Sequence, residues 1–328
     1  MAALLVLFAV FFPVPAQSAP IGGSAAYSLP LDHNVPESAA RRIAATLAWL
    51  EALAKATEAL AAESLVQWGA REESERQALV SAVFTPAVDS TLQGRRITVR
   101  VRLVALRRAA ADRLRKLVHE REMLLLRAEM LKPAREKAEE ARGLMEQPVM
   151  LRRLLTGRSA AAGARIVLLA DQLEALWLLG TVLPQRESGR WQNPGAALPV
   201  LRQAAALYPE YAIPPYLLGE ILLQLDHPQD ALTELDKALA LHPERAGALY
   251  MRGLALMRLQ LPALAERDLS AALAYDDSHA AWWRARGALR MIRNESGPMC
   301  EDFSQACARG DCEGLAVARE RGLCPAGQ

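Results

Sequence analysis

No cysteine precedes Cys300, and aromatic residues make up only 5% of the 328-residue chain. Any thiol chemistry is therefore confined to the C-terminal end. Scarce aromatics beside long stretches rich in Ala, Leu, Arg and Glu favour helix over sheet wherever packing leaves a choice. A phosphate-cradling Walker loop, a dinucleotide glycine fingerprint, an HExxH pair and a GxSxG turn are all missing. His33, His119, His227, His242 and His279 stand isolated, His227 and His242 at repeat loops beside prolines. With no convergent polar groups, no enzyme, cofactor or metal site is expected. Charge of one sign is lacking too: the formal net charge is +2. Residues 1–166 carry 24 Lys/Arg against 17 Asp/Glu and the remainder 15 against 20, an imbalance too mild for a dedicated nucleic-acid binder. What is plentiful is apolar mass, at 52%, enough for packed cores in two domains.

The chain opens on an uninterrupted apolar run from Ala2 to Phe12, followed by Pro13, Val14, Pro15 and Ala16. This is the pattern of a secretory signal peptide over residues 1–16, with Val14 and Ala16 at the cleavage positions, although no Lys or Arg precedes the run. The run is shorter than the roughly 20 residues a bilayer span needs. A retained anchor is the alternative. No cysteine lies nearby to carry a lipid, and no later segment resembles a transmembrane helix. A periplasmic or secreted location is expected, with residues 17–35 a leader or linker.

The C-terminal half repeats itself. Gly219, Gly253 and Gly287 lie 34 residues apart. Twelve residues after each stand Ala231, Ala265 and Met299; sixteen after, Leu235, Leu269 and Phe303; nineteen after, Ala238, Ala272 and Ala306. Pro243, Asp277 and Asp311 occupy the position where the second helix must end. One period earlier, Ala197, Leu201, Ala204 and Pro209 match a second helix, and Ala170 to Leu183 would supply its first, separated by an enlarged loop from Pro184 to Gly189. The period and its columns resemble the tetratricopeptide repeat, in which Gly and Ala sit where paired helices touch. The resemblance implies an α-solenoid of about four repeats over residues 167–311. It also implies a protein partner in a concave groove, at Tyr216, Glu220, Tyr250, Arg258 and Arg284. The Lys/Asn set of the members that grip a C-terminal carboxylate is absent.

Cys300, Cys307, Cys312 and Cys324 contain no CxxC pair and no nearby His, which weakens zinc and haem attachment. In an exported chain an even, clustered set reads as disulfides. Cys300 and Cys307 sit on one helix about 10 Å apart along its axis, beyond the roughly 7 Å reach of a disulfide. A reversal at Gly310-Asp311 and a short antiparallel helix ending at Gly322 bring Cys312 beside Cys307 and Cys324 beside Cys300. Residues 312–328 would thus be a stapled cap over the open end of the solenoid. Cysteine-bearing final repeats of exported bacterial members look similar.

Residues 36–166 read as a small α+β domain: helix, β-hairpin, long helix. Asn34-Val35-Pro36-Glu37 marks a helix start, followed by Ile43, Leu47, Leu50, Leu53 and Leu60 on one face with Trp49 at its edge. From Arg96 to Leu106 the period changes to two, with Ile97, Val99, Val101 and Leu103 alternating with polar residues. Val80 to Leu92 is read as the partner strand, in which Pro86 needs an edge position or a bulge, and Gln93-Gly94 supplies the turn. Arg107 to Met145 is helix-forming, with Lys132-Pro133 expected to break or kink it. Nine basic residues, Arg95, Arg96, Arg100, Arg102, Arg107, Arg108, Arg113, Arg115 and Lys116, are opposed only by Asp112. They suit an anionic envelope surface, or simply a solvated face. The leading functional expectation is an exported scaffold or adaptor in envelope assembly or organisation. Its rival is an envelope-surface protein whose basic domain binds anionic lipid or glycan while the repeats oligomerise.

Overall fold

The computed structural model describes residues 20–31, 35–62, 73–84, 86–106, 110, 113, 121–146, 159–187 and 189–325. The signal-peptide run and the cap residue Asn34 lie outside them. The chain is mainly helical, with a small sheet near its N-terminus, and divides after Gly180 into two compact units. This boundary falls later than residue 166 because Ile166, Leu169, Ala170 and Leu173 pack into the core of the N-terminal unit.

In the N-terminal unit, strand β1 (Pro20–Pro30) and helix α1 (Glu37–Ala62) are followed by α2 (Glu73–Val83) and the hairpin β2 (Pro86–Gln93) and β3 (Arg96–Leu106). The antiparallel order is β1-β3-β2. Strand β1 lies in the segment read as a leader. Its Ile21, Ala25 and Leu29 are buried, but glycines and serines between them weaken the alternation that would announce a strand. The glycine at 23 has a packing reason: a Cβ there would meet the Ala52 carbonyl oxygen of α1 at 2.3 Å. Helix α1 answers with a row of small buried residues, Ala44, Ala48, Ala52 and Ala56, beside Ile43, Leu47, Leu53 and Leu60. Trp49 is half-buried and meets Trp177 edge-on, with ring centroids 5.8 Å apart. Pro86 opens the edge strand, as its missing N–H requires, while Val80 to Val83 belong to α2 and not to the strand.

Helix α3 (Arg121–Glu146) carries Pro133 in its interior without breaking there. Helix α4 (Ser159–Val182) follows. No membrane-spanning helix is expected from the sequence beyond the N-terminal run, yet Ala161–Gln185 is long and apolar enough by length and composition to be one. Within it, 56% of the apolar window is buried, and Ile166, Leu169, Ala170 and Leu173 join the core of the N-terminal unit. Core packing accounts for that apolarity.

Arg127 of α3 is buried, donates to Ser81 at 3.3 Å, and has no hydrogen-bond partner for its Nε among the described residues. Burial, with the like charge of Arg113, pushes its pKa down to about 10. A cation whose folded pKa is depressed costs the fold stability at every pH where it is charged. The cost persists below about pH 10 and is relieved only as pH rises through that value toward the unfolded pKa. Arg127→Met is therefore expected to stabilise the N-terminal unit at neutral pH by about 1–3 kcal/mol, after allowing for the lost bond to Ser81. Urea unfolding of the full chain would measure it.

The C-terminal unit begins with a short 3-10 turn and a two-stranded hairpin, β4 (Arg186–Glu187) and β5 (Arg190–Trp191), leading into α5 (Pro194–Leu207). Three helix pairs follow: α6 (Ile213–Gln224) with α7 (Pro228–Leu241), α8 (Ala246–Arg258) with α9 (Pro262–Tyr275), and α10 (Ala280–Ile292) with α11 (Ser296–Ala308). Helix α12 (Glu313–Glu320) closes the stack. The first helix of each pair ends identically, on a left-handed residue: Asp226, Gln260 and Asn294, with φ of 62°, 59° and 61°. The next N–H then reaches back to Leu222, Leu256 and Arg290, satisfying carbonyls the helix leaves open.

The repeat columns meet as their spacing requires. A Cβ on Gly219 would lie 2.5 Å from Leu235, on Gly253 2.8 Å from Leu269, and on Gly287 2.7 Å from the ring of Phe303. Helix axes can approach only because these side chains are absent. Phe303 is the least forgiving neighbour, since a ring cannot bend aside. Gly287→Ala is expected to cost about 1–3 kcal/mol by overpacking, read as a lower urea midpoint at unchanged m-value. Helix α5 is the second helix of the earlier copy, and the segment read as that copy's first helix is the C-terminal part of α4.

Candidate functional site

The groove expected from the resemblance falls on the first helices of the pairs, α6, α8 and α10. On α6 the expected groove residues are not open to solvent. Tyr216 is 2% exposed and Glu220 3%, and every residue from Ile213 to Leu223 is buried. The enlarged loop accounts for much of this: it folds as the β4–β5 hairpin and lies on α6. Arg186 and Trp191 are cross-strand partners in the hairpin register and project to the same side. The Arg186 guanidinium grips Glu220 in a bidentate pair, Nε to Oε2 at 2.8 Å and Nη2 to Oε1 at 2.7 Å. The Trp191 indole N–H donates to Glu220 Oε2 at 3.0 Å. One turn on, Gln224 accepts the Trp191 backbone N–H and donates to its carbonyl, both at 2.8 Å. Tyr216 is closed in from the other side, where Arg245 lies over its ring and the missing side chain of Gly247 leaves room for its hydroxyl.

The groove positions of α8 and α10 are more open. Tyr250 is half-buried and stacks on Trp282 at 5.3 Å, and Trp282 stacks on His279 at 4.4 Å. Arg258, nearly half exposed, donates to the Leu223 carbonyl and pairs with Asp226 at 3.5 Å. Arg284 pairs with Asp311 at 2.9 Å and Glu313 at 3.0 Å, on the segment leading into the cap. The five residues therefore divide: two are sealed on α6, and Tyr250, Arg258 and Arg284 keep an exposed side along α8 and α10.

An ion ladder that the sequence reading missed runs within the α8–α9 and α10–α11 pairs and reaches from each across to the preceding pair. Arg252 takes Asp268 of its own repeat through Nε (2.6 Å) and Nη2 (2.9 Å), and Asp236 of the preceding repeat through Nη1 (2.8 Å). Hydrogen bonding to Asp268 raises its pKa above the usual arginine value. Thirty-four residues later, Arg286 takes Asp302 at 3.0 and 2.8 Å and Ser270 at 3.1 Å, and Arg290 adds a bond to Asp302 at 2.9 Å. The signal was present, since Arg252/Arg286 and Asp268/Asp302 recur at the repeat period, but charged columns are easily passed over as surface.

The cap closes with both expected disulfides, Cys300–Cys324 and Cys307–Cys312, with Cα separations of 5.7 and 4.0 Å. Leu315 and Ala318 of α12 pack on Met299, Cys300 and Phe303 of α11. Of the basic cluster, Arg107, Arg108, Arg115 and Lys116 lie outside the described residues. Arg95, Arg96, Arg100, Arg102 and Arg113 are exposed. Arg96, Arg100 and Arg102 alternate on the sheet face turned from the core, Arg102 paired with Asp89 at 2.6 Å. Among the described residues no group of three or more His, Cys, Asp or Glu could hold a metal ion.

The C-terminal unit is an α-solenoid whose helix pairing, 34-residue period and glycine columns resemble those of tetratricopeptide repeats. No family model matches the chain, and no curated protein matches its sequence. Among solved structures it is similar to YrrB, described as a TPR protein with an unusual peptide-binding site (20% identity over 58% of this chain and 97% of that one, TM-score 0.39). It is similar also to PilF of Pseudomonas aeruginosa (18%, 57% and 88%, 0.41) and to MamA of Desulfovibrio magneticus RS-1 (23%, 40% and 83%, 0.34).

Proposed function

We propose that this protein is an exported scaffold that holds a segment of a partner protein along α8 and α10, in the envelope of a bacterial cell. The observation that carries the reading is the side presented by Tyr250, Arg258 and Arg284, residue types that dominate interface hot spots, on a stack whose helix pairs are braced by Arg252–Asp268 and Arg286–Asp302, whose neighbouring repeats are tied by Arg252–Asp236 and Arg290–Glu266, and whose open end is stapled. A rigid scaffold loses little entropy on binding, so a short contact suffices. Two disulfides support an oxidising compartment. The reading assigns the chain no catalytic step.

A photo-crosslinking residue at position 250 is expected to give an adduct of one defined mass in cells, while the same residue at exposed Arg267 on α9 gives none. Arg284→Glu should weaken the first adduct. Equal yields at both positions, or none at either, would remove the groove from the account. The arginines on the outer sheet face favour a second contact, with an anionic lipid surface or glycan; salt-sensitive binding of the full chain to anionic vesicles, lost in Arg96→Glu/Arg100→Glu, tests it.

A further inference from the structure

Helix α6 reads the β4–β5 hairpin with two side chains one turn apart. Glu220 selects: its carboxylate takes a bidentate guanidinium from Arg186 and the indole N–H of Trp191. Gln224 clasps: its amide holds both the N–H and the C=O of Trp191, which recognises an extended backbone whatever the side chain. Helix packing in this solenoid requires neither group, since the same positions in the next two repeats hold Leu254 and Arg258, then Ala288 and Ile292. A buried ion pair is also a poor way merely to anchor a loop, because desolvation offsets most of its attraction and apolar residues would serve as well. Its advantage is discrimination: a buried carboxylate rejects any occupant that cannot satisfy it.

We infer that Glu220 and Gln224 form a peptide-recognition site for a β-hairpin carrying Arg opposite Trp, filled here by the chain's own Arg186–Trp191 hairpin. Withdrawal of the hairpin opens the site to a partner segment of the same chemistry, and its presence keeps α6 closed. The inference rests on the groove reading only in taking that partner to be a polypeptide.

The probe is a cyclised peptide with the sequence of Pro184 to Asn193. The receiver is the oxidised full-length chain carrying Arg186→Ala and Trp191→Ala. A second receiver, for the case that the first does not fold, is the otherwise unaltered chain cut at a protease site inserted after Gly189. A cooperative melt and two intact disulfides establish folding. Expected is uptake by a folded receiver at least about tenfold tighter than by the uncut natural chain, and loss of about tenfold or more when the receiver also carries Glu220→Gln or the peptide's Arg186 is alanine. A folded receiver that takes up no peptide, or that ignores Glu220→Gln, overturns the inference. Crosslinking from position 250, repeated in the receiver, separates the two readings: capture without peptide uptake leaves the groove and removes the gate, and uptake without capture does the reverse.

Discussion

Asp302→Ala is expected to destabilise the C-terminal repeats by about 3–5 kcal/mol. The carboxylate is 1% exposed and receives Arg286 through two bonds and Arg290 through a third. Its removal leaves two guanidinium groups, at 14% and 17% side-chain exposure, facing each other across the space it held. Neither arginine is wholly abandoned: Arg290 keeps Glu266 at 3.2 Å, and Arg286 keeps Ser270 and the face of Trp283. Those contacts favour the lower half of the range. The informative comparison is the triple variant Asp302→Leu/Arg286→Met/Arg290→Leu, expected within about 2 kcal/mol of the natural chain, because it removes the desolvation cost together with the attraction. Urea unfolding followed by far-UV circular dichroism would compare them. If Asp302→Ala falls within about 1 kcal/mol of the natural chain, the ladder is solvated decoration and the rigidity invoked for the scaffold must come from apolar columns alone.

The register of the repeats was legible because it is written in residues with no substitute. Only glycine fits 2.5–2.8 Å from where Leu235, Leu269 and Phe303 stand, so the columns cannot drift. The disulfide pairing was legible for a similar reason: helix rise forbids Cys300–Cys307, and the reversal at Gly310 selects among what remains. Pro86 narrowed β2 to an edge position or a bulge, and the edge is what the sheet order shows. Less visible was β1, whose glycine and serine content suits close approach to α1 but erases the alternating pattern. The α4 continuity was also hidden, since a long apolar stretch looks the same whether it starts a repeat or finishes another core. The groove misled most. Periodicity gives the position of Tyr216 and Glu220 on a helix face and says nothing of what covers that face. The cover is the loop whose extra length is visible, together with the residues just past its expected end: Arg186 lies within it, and Trp191 two residues beyond Gly189.

The two disulfides are expected to differ in both value and accessibility. Closing a loop of 24 residues, as Cys300–Cys324 does, restricts the unfolded chain by about 3.5 kcal/mol, against about 2 kcal/mol for the 5-residue separation of Cys307–Cys312. Cys300 and Cys324 are buried with Phe303 and Leu315, whereas Cys312 is exposed. Thiolate attack requires access to sulfur, so mild reductant with an alkylating agent should first modify Cys307 and Cys312 alone. That intermediate should lose about 2 kcal/mol and keep α12 docked. The Cys300→Ala/Cys324→Ala variant should lose about 3–4 kcal/mol and expose the Phe303 cluster to dye binding. Simultaneous modification of all four thiols would show that the cap opens as one unit. The first step also reaches the groove: Asp311 and Glu313, which hold Arg284, flank Cys312, so opening the outer bridge loosens the segment that neutralises this arginine. Crosslinking from position 250 should then depend on the state of Cys307–Cys312 and remain insensitive to Cys300–Cys324 until the cap itself is lost.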